Sequence, residues 1–342
     1  AVGRNVWNTC HVSANFPAST DLVWVASLVE DALDIPLINT NRNQADGGGV
    51  VGYNVTEVPD MDWVVHVQQS WKPIVVNNNL VLKFPWHTQQ DVDEAVVRQQ
   101  QQSSTTTTTS HADTDEIVQL ELQGGIAFGT GEHATTQLCL GWIQRHVETM
   151  ERLMDYGCGS GILGMAACKL SASAAAAAAS PDNNNNVLQT VVGVDLDVDA
   201  VGIANANARI NQVHMINYLP PPQAVENDCE SESVLLVKNS EREETLPEEL
   251  NRPLYDALVA NILAAPLVKL APTLAGLVKT PSTSSSLHQQ HGGGGILGLS
   301  GVLKNQAQRV IQAYEPYFDD VRVEEEKDGW VLITGTRNRN EI

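Results

Sequence analysis

Two glycine-punctuated turns lie close together in the chain: GIAFGTGEHATTQLCLGW at 125–142 and LMDYGCGSGILGMAA at 153–167. In the second, Gly157, Gly159 and Gly161 follow an apolar strand-like stretch and open a helix-like one. Lacking a Cβ, they let backbone approach a ligand closely and take positive φ. Ile162 stands where a dinucleotide fingerprint needs its third glycine, so the pyrophosphate-binding GxGxxG is not met. That argues against a nicotinamide-dependent oxidoreductase. A purely structural strand-to-helix turn would look the same, so the turn counts only in company.

The company is an acid and an amide. GVDLD closes a second apolar stretch with Asp195, and in nucleoside-binding α/β folds an acid there accepts hydrogen bonds from ribose hydroxyls. The spacing from Gly157 is 38 residues, or 22 once the Ala/Asn tract 171–186 is set aside as an insertion, against the ~20 such folds use. The competing role for Asp195 is a helix cap. VANIL places Asn261 at the end of a third strand, the edge where open α/β sheets bind ligands. An amide there both donates and accepts; a lone Asn would be a turn residue. His133 is a tempting general base, yet a His in a turn is more often a cap or packing group.

The positioning elements follow from the pattern. RLMDY (152–156), TVVGVDLD (190–197), YDALVANIL (255–263) and GILGLSGVL (295–303) read as strands, each followed by a helix-like stretch; SVLLVK (233–238) is a weaker strand. Alternating β and α elements predict a doubly wound parallel sheet. DVRVEEEK and GWVLITGTR, joined by Asp-Gly, predict an antiparallel hairpin at one edge. Residues 1–97 predict a smaller α+β domain, with a helix in STDLVWVASLVEDALDI, a strand in VGYNVTEV and two short strands in WKPIVVNNNLVLKFPW. A low-complexity linker is expected over 98–122, and the third region is 123–342. The tracts at 98–110, 171–186, 226–249 and 280–295 read as loops, since such runs bury too little apolar surface to offset ordering entropy.

With these blocks in order, the chain resembles the PrmA-type ribosomal protein methyltransferases. The resemblance rests on AFGTGEHATTQLCLGW, DYGCGSGILGMAA, GVDLD, DALVANILAAPLVKLAPTL and LGLSGVLKNQAQRVIQAY, and covers about 122–338. Residues 60–86 are similar more loosely, and QGGIAFG departs from the family's Asp-Pro-Gly. The resemblance implies a seven-stranded class I methyltransferase sheet and S-adenosylmethionine as cofactor. It implies transfer of methyl groups to lysine amines of a large-subunit ribosomal protein, with the N-terminal amine as a further candidate. It makes residues 1–97 a substrate-recognition domain. Carried over by position, Thr136, Gly157, Gly159, Asp195 and Asn261 become cofactor contacts, with Asn261 also facing the transferred methyl; no metal is implied. The chemistry is direct displacement by a neutral amine. Lysine, with an unperturbed pKa of ~10.4, must first lose a proton, which desolvation beside a cation favours and water can accept. Positioning and a dry site then supply most of the rate.

Bulk properties narrow the partners. A net charge of −21 over 342 residues opposes direct nucleic-acid binding and suits a basic protein substrate, or serves solubility alone. No stretch has the ~18 apolar residues a membrane span needs. Five cysteines without CxxC spacing argue for a reducing compartment and against structural zinc. A monomer is expected. The homopolymer tracts point to a eukaryotic source and so to a plastid, a mitochondrion or the cytoplasm, not secretion. The first residue, Ala1, is compatible with a missing upstream piece and any targeting peptide in it. Two rivals stay open: a mitochondrial-type lysine methyltransferase of the electron-transfer flavoprotein beta subunit, whose core resembles this one, and a module that binds cofactor without catalysis.

Overall fold

The computed structural model describes residues 14, 16, 19–33, 37–39, 51–53, 71–76, 79–103, 117–123, 131–177, 188–221, 244–281 and 294–340. The chain divides into two compact units, 1–63 and 64–342. In the first, α1 (Leu22–Leu33) begins after Asp21, whose carboxylate accepts the Val23 and Trp24 N–H groups as an N-cap. β1 (Leu37–Asn39) pairs in parallel with β2 (Val51–Tyr53). The rest of the predicted strand VGYNVTEV lies outside the described residues.

The second unit opens with a three-stranded sheet. β3 (Ile74–Val76) and β4 (Leu80–Lys83) form the expected antiparallel pair around the Asn turn. α2 (Gln89–Ser103) follows, and β5 (Val118–Glu121) returns parallel to β4. The compact units therefore divide at 63/64, and 98–122 contains the end of a helix and a whole strand. β5 belongs to this unit because Leu120 and Leu122 are fully buried in the same core as Trp142 and Leu153.

Next come α3 (Ala134–His146), β6 (Arg152–Tyr156), α4 (Ile162–Ala177), β7 (Thr190–Val194), α5 (Val198–Ile210) and β8 (Met215–Tyr218). β9 (Ala257–Asn261), α6 (Ala264–Leu277), β10 (Ile296–Leu303), α7 (Ala307–Tyr314), β11 (Phe318–Lys327) and β12 (Trp330–Arg337) complete it. The seven-stranded sheet has the order β11-β12-β10-β9-β6-β7-β8. Strands β8 to β10 are parallel, and β12 and β11 add antiparallel pairing at one edge, as the sequence predicts. Asp328 and Gly329, with φ of +53° and +80°, make the tight hairpin turn.

Both faces of the sheet are covered, which is why its central strands read as continuous apolar runs. In β6, Leu153 packs with Trp142 of α3 and Ala166 of α4, while Met154 and Tyr156 pack with Leu267 of α6. Among the described residues no helix is long and apolar enough to cross a membrane, and no group of three or more His, Cys, Asp or Glu is placed to hold a metal ion.

Two readings change. The tract 171–186 is helix through Ala177, because alanine is the best helix former and carries α4 on into the tract. The strand that follows α5 is β8, MINY, too short to stand out in the sequence. SVLLVK at 233–238 lies outside the described residues, as do most of the remaining tracts.

Candidate functional site

Chain order in the sheet reverses between β6 and β9: β6, β7 and β8 run outward on one side, and β9 returns to the other. In open α/β sheets, ligands bind at the carboxyl ends of the strands flanking such a switch point. Gly157 follows β6 there and Asn261 ends β9.

The glycine turn is held by its own backbone. The Gly157 and Cys158 N–H groups both donate to the Val194 carbonyl at the end of β7, at 2.7 and 3.0 Å. Gly157 has φ +77°, and a Cβ built there would lie 2.3 Å from Ile262 Cγ2. The backbone of the turn thus runs directly against the residue after Asn261. Only glycine fits that conformation and that gap.

Asp195 stands one residue past β7. Its Oδ2 accepts the Gly159 N–H at 2.8 Å, and its Oδ1 accepts the Asp197 N–H at 3.0 Å. The helix cap weighed for Asp195 falls to Asp197, which accepts the Asp199 N–H at 2.9 Å at the start of α5. Across the switch point, Asn261 Nδ2 donates to Thr136 Oγ1 at 3.3 Å. Thr136 is buried in the first turn of α3. The five residues thus form two linked pairs, Gly159 with Asp195 and Thr136 with Asn261, joined by the contact of Gly157 with Ile262. His133 caps α3: its Nδ1 lies 2.8 Å from Thr135 Oγ1, and its ring meets Trp330 edge-on at 4.9 Å. That geometry is capping and packing.

A residue that sequence reasoning passed over sits beneath the turn. Asp155, fully buried near the end of β6, accepts the Gly164 N–H on Oδ2 at 3.0 Å, satisfying one open donor in the first turn of α4. Among the described residues its Oδ1 has no hydrogen-bond partner. Burial pushes its pKa up to about 7, the Asp195 charge adds to this, and the Gly164 bond opposes it. The signal was an acid inside an otherwise apolar strand, two residues before the first glycine. Asp195 is also raised, chiefly by burial, against the pull of the Asp197 and Gly159 N–H bonds. Burial first, and then Asp155, raise the thiols of Cys139 and Cys158, so both are neutral and neither is a nucleophile.

Asp155 makes the stability of the fold depend on pH. An acid whose pKa is higher in the fold than in the unfolded chain stabilises while protonated, and that contribution is lost as pH rises through the folded value. Between about pH 4 and pH 7 the wild type should lose up to about 4 kcal/mol that the Asp155→Asn variant keeps, since each tenfold change in proton affinity is worth ~1.4 kcal/mol. Urea midpoints at pH 5 and pH 8 check it. A gap between the two proteins that stays constant with pH would mean Asp155 does not titrate there.

The donor set defines what ligand fits. A backbone cradle that a single Cβ would fill, two buried or half-buried carboxyls and one amide lie at the switch point, and among the described residues no Lys or Arg hydrogen-bonds to the cluster. Such a site favours a cation and repels a pyrophosphate. It suits a sulfonium nucleoside: backbone access for its amino-acid end, a carboxylate for ribose hydroxyls and a negative field for the charge.

Comparison with known proteins agrees. The family model "Ribosomal protein L11 methyltransferase (PrmA)" matches residues 103–338. The ribosomal protein L11 methyltransferase of Bordetella bronchiseptica is 34% identical over 286 residues, spanning 84% of this chain and 70% of that protein. The enzyme of the same description from Cupriavidus metallidurans is 30% identical over 98% of this chain and 80% of its own. A solved ribosomal protein L11 methylase from Lactobacillus delbrueckii subsp. bulgaricus, 21% identical, aligns over 79% of this chain and 100% of that one with a TM-score of 0.48. The chain belongs to the ribosomal protein L11 methyltransferase (PrmA) family and is an S-adenosylmethionine-dependent protein methyltransferase.

Proposed function

We propose that this enzyme methylates lysine and N-terminal amines of ribosomal protein L11, and that Thr136, Gly157, Gly159, Asp195 and Asn261 hold the cofactor for it. The observation that carries the substrate is the family match over 103–338, supported by relatives of that activity that align over nearly the whole chain. The pairing of Gly159 with Asp195 and of Thr136 with Asn261 at the sheet's switch point supports the residue roles. The net charge of −21 suits a basic protein partner, with the region 1–97 as its recognition element.

S-adenosylmethionine supplies an electrophilic methyl group on a positively charged sulfur. The protein's residues do the rest. The Gly157–Gly159 backbone admits the ligand's amino-acid end, and Asp195, fixed by two backbone N–H groups, accepts from ribose hydroxyls. Asp195 sets a negative field under the site. Asn261 Oδ1 accepts an N–H of the incoming amine and aims its lone pair, with Nδ2 anchored on Thr136. Desolvation beside a cation keeps that amine neutral, so proton loss to water suffices and no side-chain base is required.

Labelled-methyl transfer tests the substrate. With S-adenosylmethionine, the enzyme is expected to label L11 within large ribosomal subunits or as free protein, with the sites mapped by mass spectrometry to amines. Label in the electron-transfer flavoprotein beta subunit and none in L11 would overturn the reading in favour of the flavoprotein substrate.

A further inference from the structure

The chain just past Asn261 is held from both sides by glycines in the left-handed region. Gly157, at φ +77°, lets the cradle turn pass directly against the Ile262 side chain. Gly301, at φ +81°, does the same from β10, where a Cβ would run into the Ile262 carbonyl. Gly301 lies in a bulge: β10 stays in register with β9 through Ser300 opposite Asn261, while its pairing with β12 shifts between Leu299 and Val302. Bulges of this kind re-aim the chain beside a site. Ile262 itself packs against the apolar core that includes Leu267 of α6.

What this grip presents is Leu263. It is 68% exposed, the most of any large apolar side chain among the described residues of 64–342. One exposed leucine on a surface is ordinary. This one also occupies the N-cap of α6, extended at φ −62° and ψ 151°, and gives the helix no side-chain hydrogen bond. Leucine is among the poorest residues at that position, where Ser, Thr, Asp or Asn would accept a first-turn N–H. Two local rules are thus broken at one residue, two places beyond the amide proposed to orient the incoming amine. Such local costs gather at functional positions.

We infer that Leu263 is a specificity-determining residue: an apolar rest for the methylene stem of the acceptor lysine, which steadies the ε-amine at Asn261. This rests on the reading that Asn261 orients the amine. Lysine carries its ammonium on a flexible four-carbon stem, and laying that stem on a leucine takes apolar surface of both out of water. An N-terminal α-amine has no such stem, so Leu263 favours lysine amines over α-amines.

Leu263→Ala and Leu263→Ser are expected to lower kcat/KM for methyl transfer to L11 lysines by about tenfold, the worth of about two buried methylenes. Transfer to the L11 α-amine should change by less than about threefold, and the dissociation constant of S-adenosylhomocysteine by less than about twofold. Leu263→Met, apolar and flexible, should restore lysine transfer. The serine variant adds a readout that a structural role would not give. A cap oxygen for α6 should hold its urea midpoint at or above wild type while lysine transfer falls. Unchanged lysine transfer in the alanine variant would overturn the inference, as would equal losses at lysine and α-amine, or a loss that follows a lowered midpoint. Asn261→Ala separates the two levels: if that change leaves the single-turnover rate intact, the reading of the amide itself fails; if it slows transfer while Leu263→Ala does not, only the rest for the stem fails.

Discussion

Replacing Asp195 by alanine is expected to weaken S-adenosylmethionine binding by about 100-fold, from the loss of charge-assisted bonds worth ~3 kcal/mol. Two losses combine in that figure. The carboxylate would no longer accept from ribose hydroxyls, and the Gly159 N–H, which it now holds at 2.8 Å, would be released together with the shape of the turn. Asp195→Asn separates them, because an amide oxygen still accepts from Gly159 while the charge is gone; its loss should be intermediate. The same reasoning fixes a pH dependence. Burial raises the Asp195 pKa above the ordinary carboxylate value, so acidification should protonate it sooner than an exposed acid and affinity should fall at mildly acidic pH. Titration calorimetry across pH for the wild type and both variants measures all three effects. An unchanged affinity in Asp195→Ala would remove the ribose assignment.

How far such a site can be read from residues alone depends on what encodes each part. The strands flanking the switch point were legible because both of their faces are buried, so RLMDY, TVVGV and ALVAN are apolar with little interruption. The hairpin was legible because Asp328 and Gly329 must take positive φ. Asp195 was legible through its place at a strand end, but only after a tract had been set aside, and part of that tract, 171–177, turned out to be helix. Propensity of alanine overrode the reading of low complexity as loop. β8 was missed because MINY lies at the sheet edge, where Ile216 faces solvent and the pattern is short and mixed.

The polar supports were hardest to see. Asp155 and Asn207 mean little as types or spacings; their bonds reach a backbone N–H in α4, the Ser160 carbonyl in the glycine turn and the Gln123 N–H, 84 residues earlier than Asn207. Such partners are main-chain groups, and sequence does not record which of them a fold leaves open. The three-stranded sheet was half legible for a related reason. Its β3–β4 hairpin is local, whereas β5 joins in parallel after a long connection, a pairing set by burial of Leu120 and Leu122 and not by any turn.

The residue at the end of β9 carries the largest expected effect on turnover. Asn261→Ala should lower kcat by about 100-fold or more, the usual result of removing one well-placed polar group from the reacting centre, while the cofactor dissociation constant changes by less than about tenfold. The asymmetry follows from the amide's placement. Its Nδ2 bond to Thr136, at 3.3 Å, fixes the side chain, and on the proposed roles the other cofactor contacts remain after the amide is gone. On the proposed roles, Asn261 Oδ1 is by contrast the acceptor that orients the incoming amine. Asn261→Asp sharpens the case: it keeps an acceptor but brings a third carboxyl near Asp155 and Asp195, which would favour the protonated, unreactive amine. Its rate should therefore fall at neutral pH and recover as pH rises, whereas the alanine variant stays slow throughout. Single-turnover methyl transfer at saturating cofactor, followed from about pH 7 to about pH 9.5 so as to approach the lysine pKa, distinguishes the two. A fall in cofactor affinity with unchanged single-turnover rate in Asn261→Ala would make the amide a binding group only, and orientation of the amine would have to come from elsewhere in the cleft.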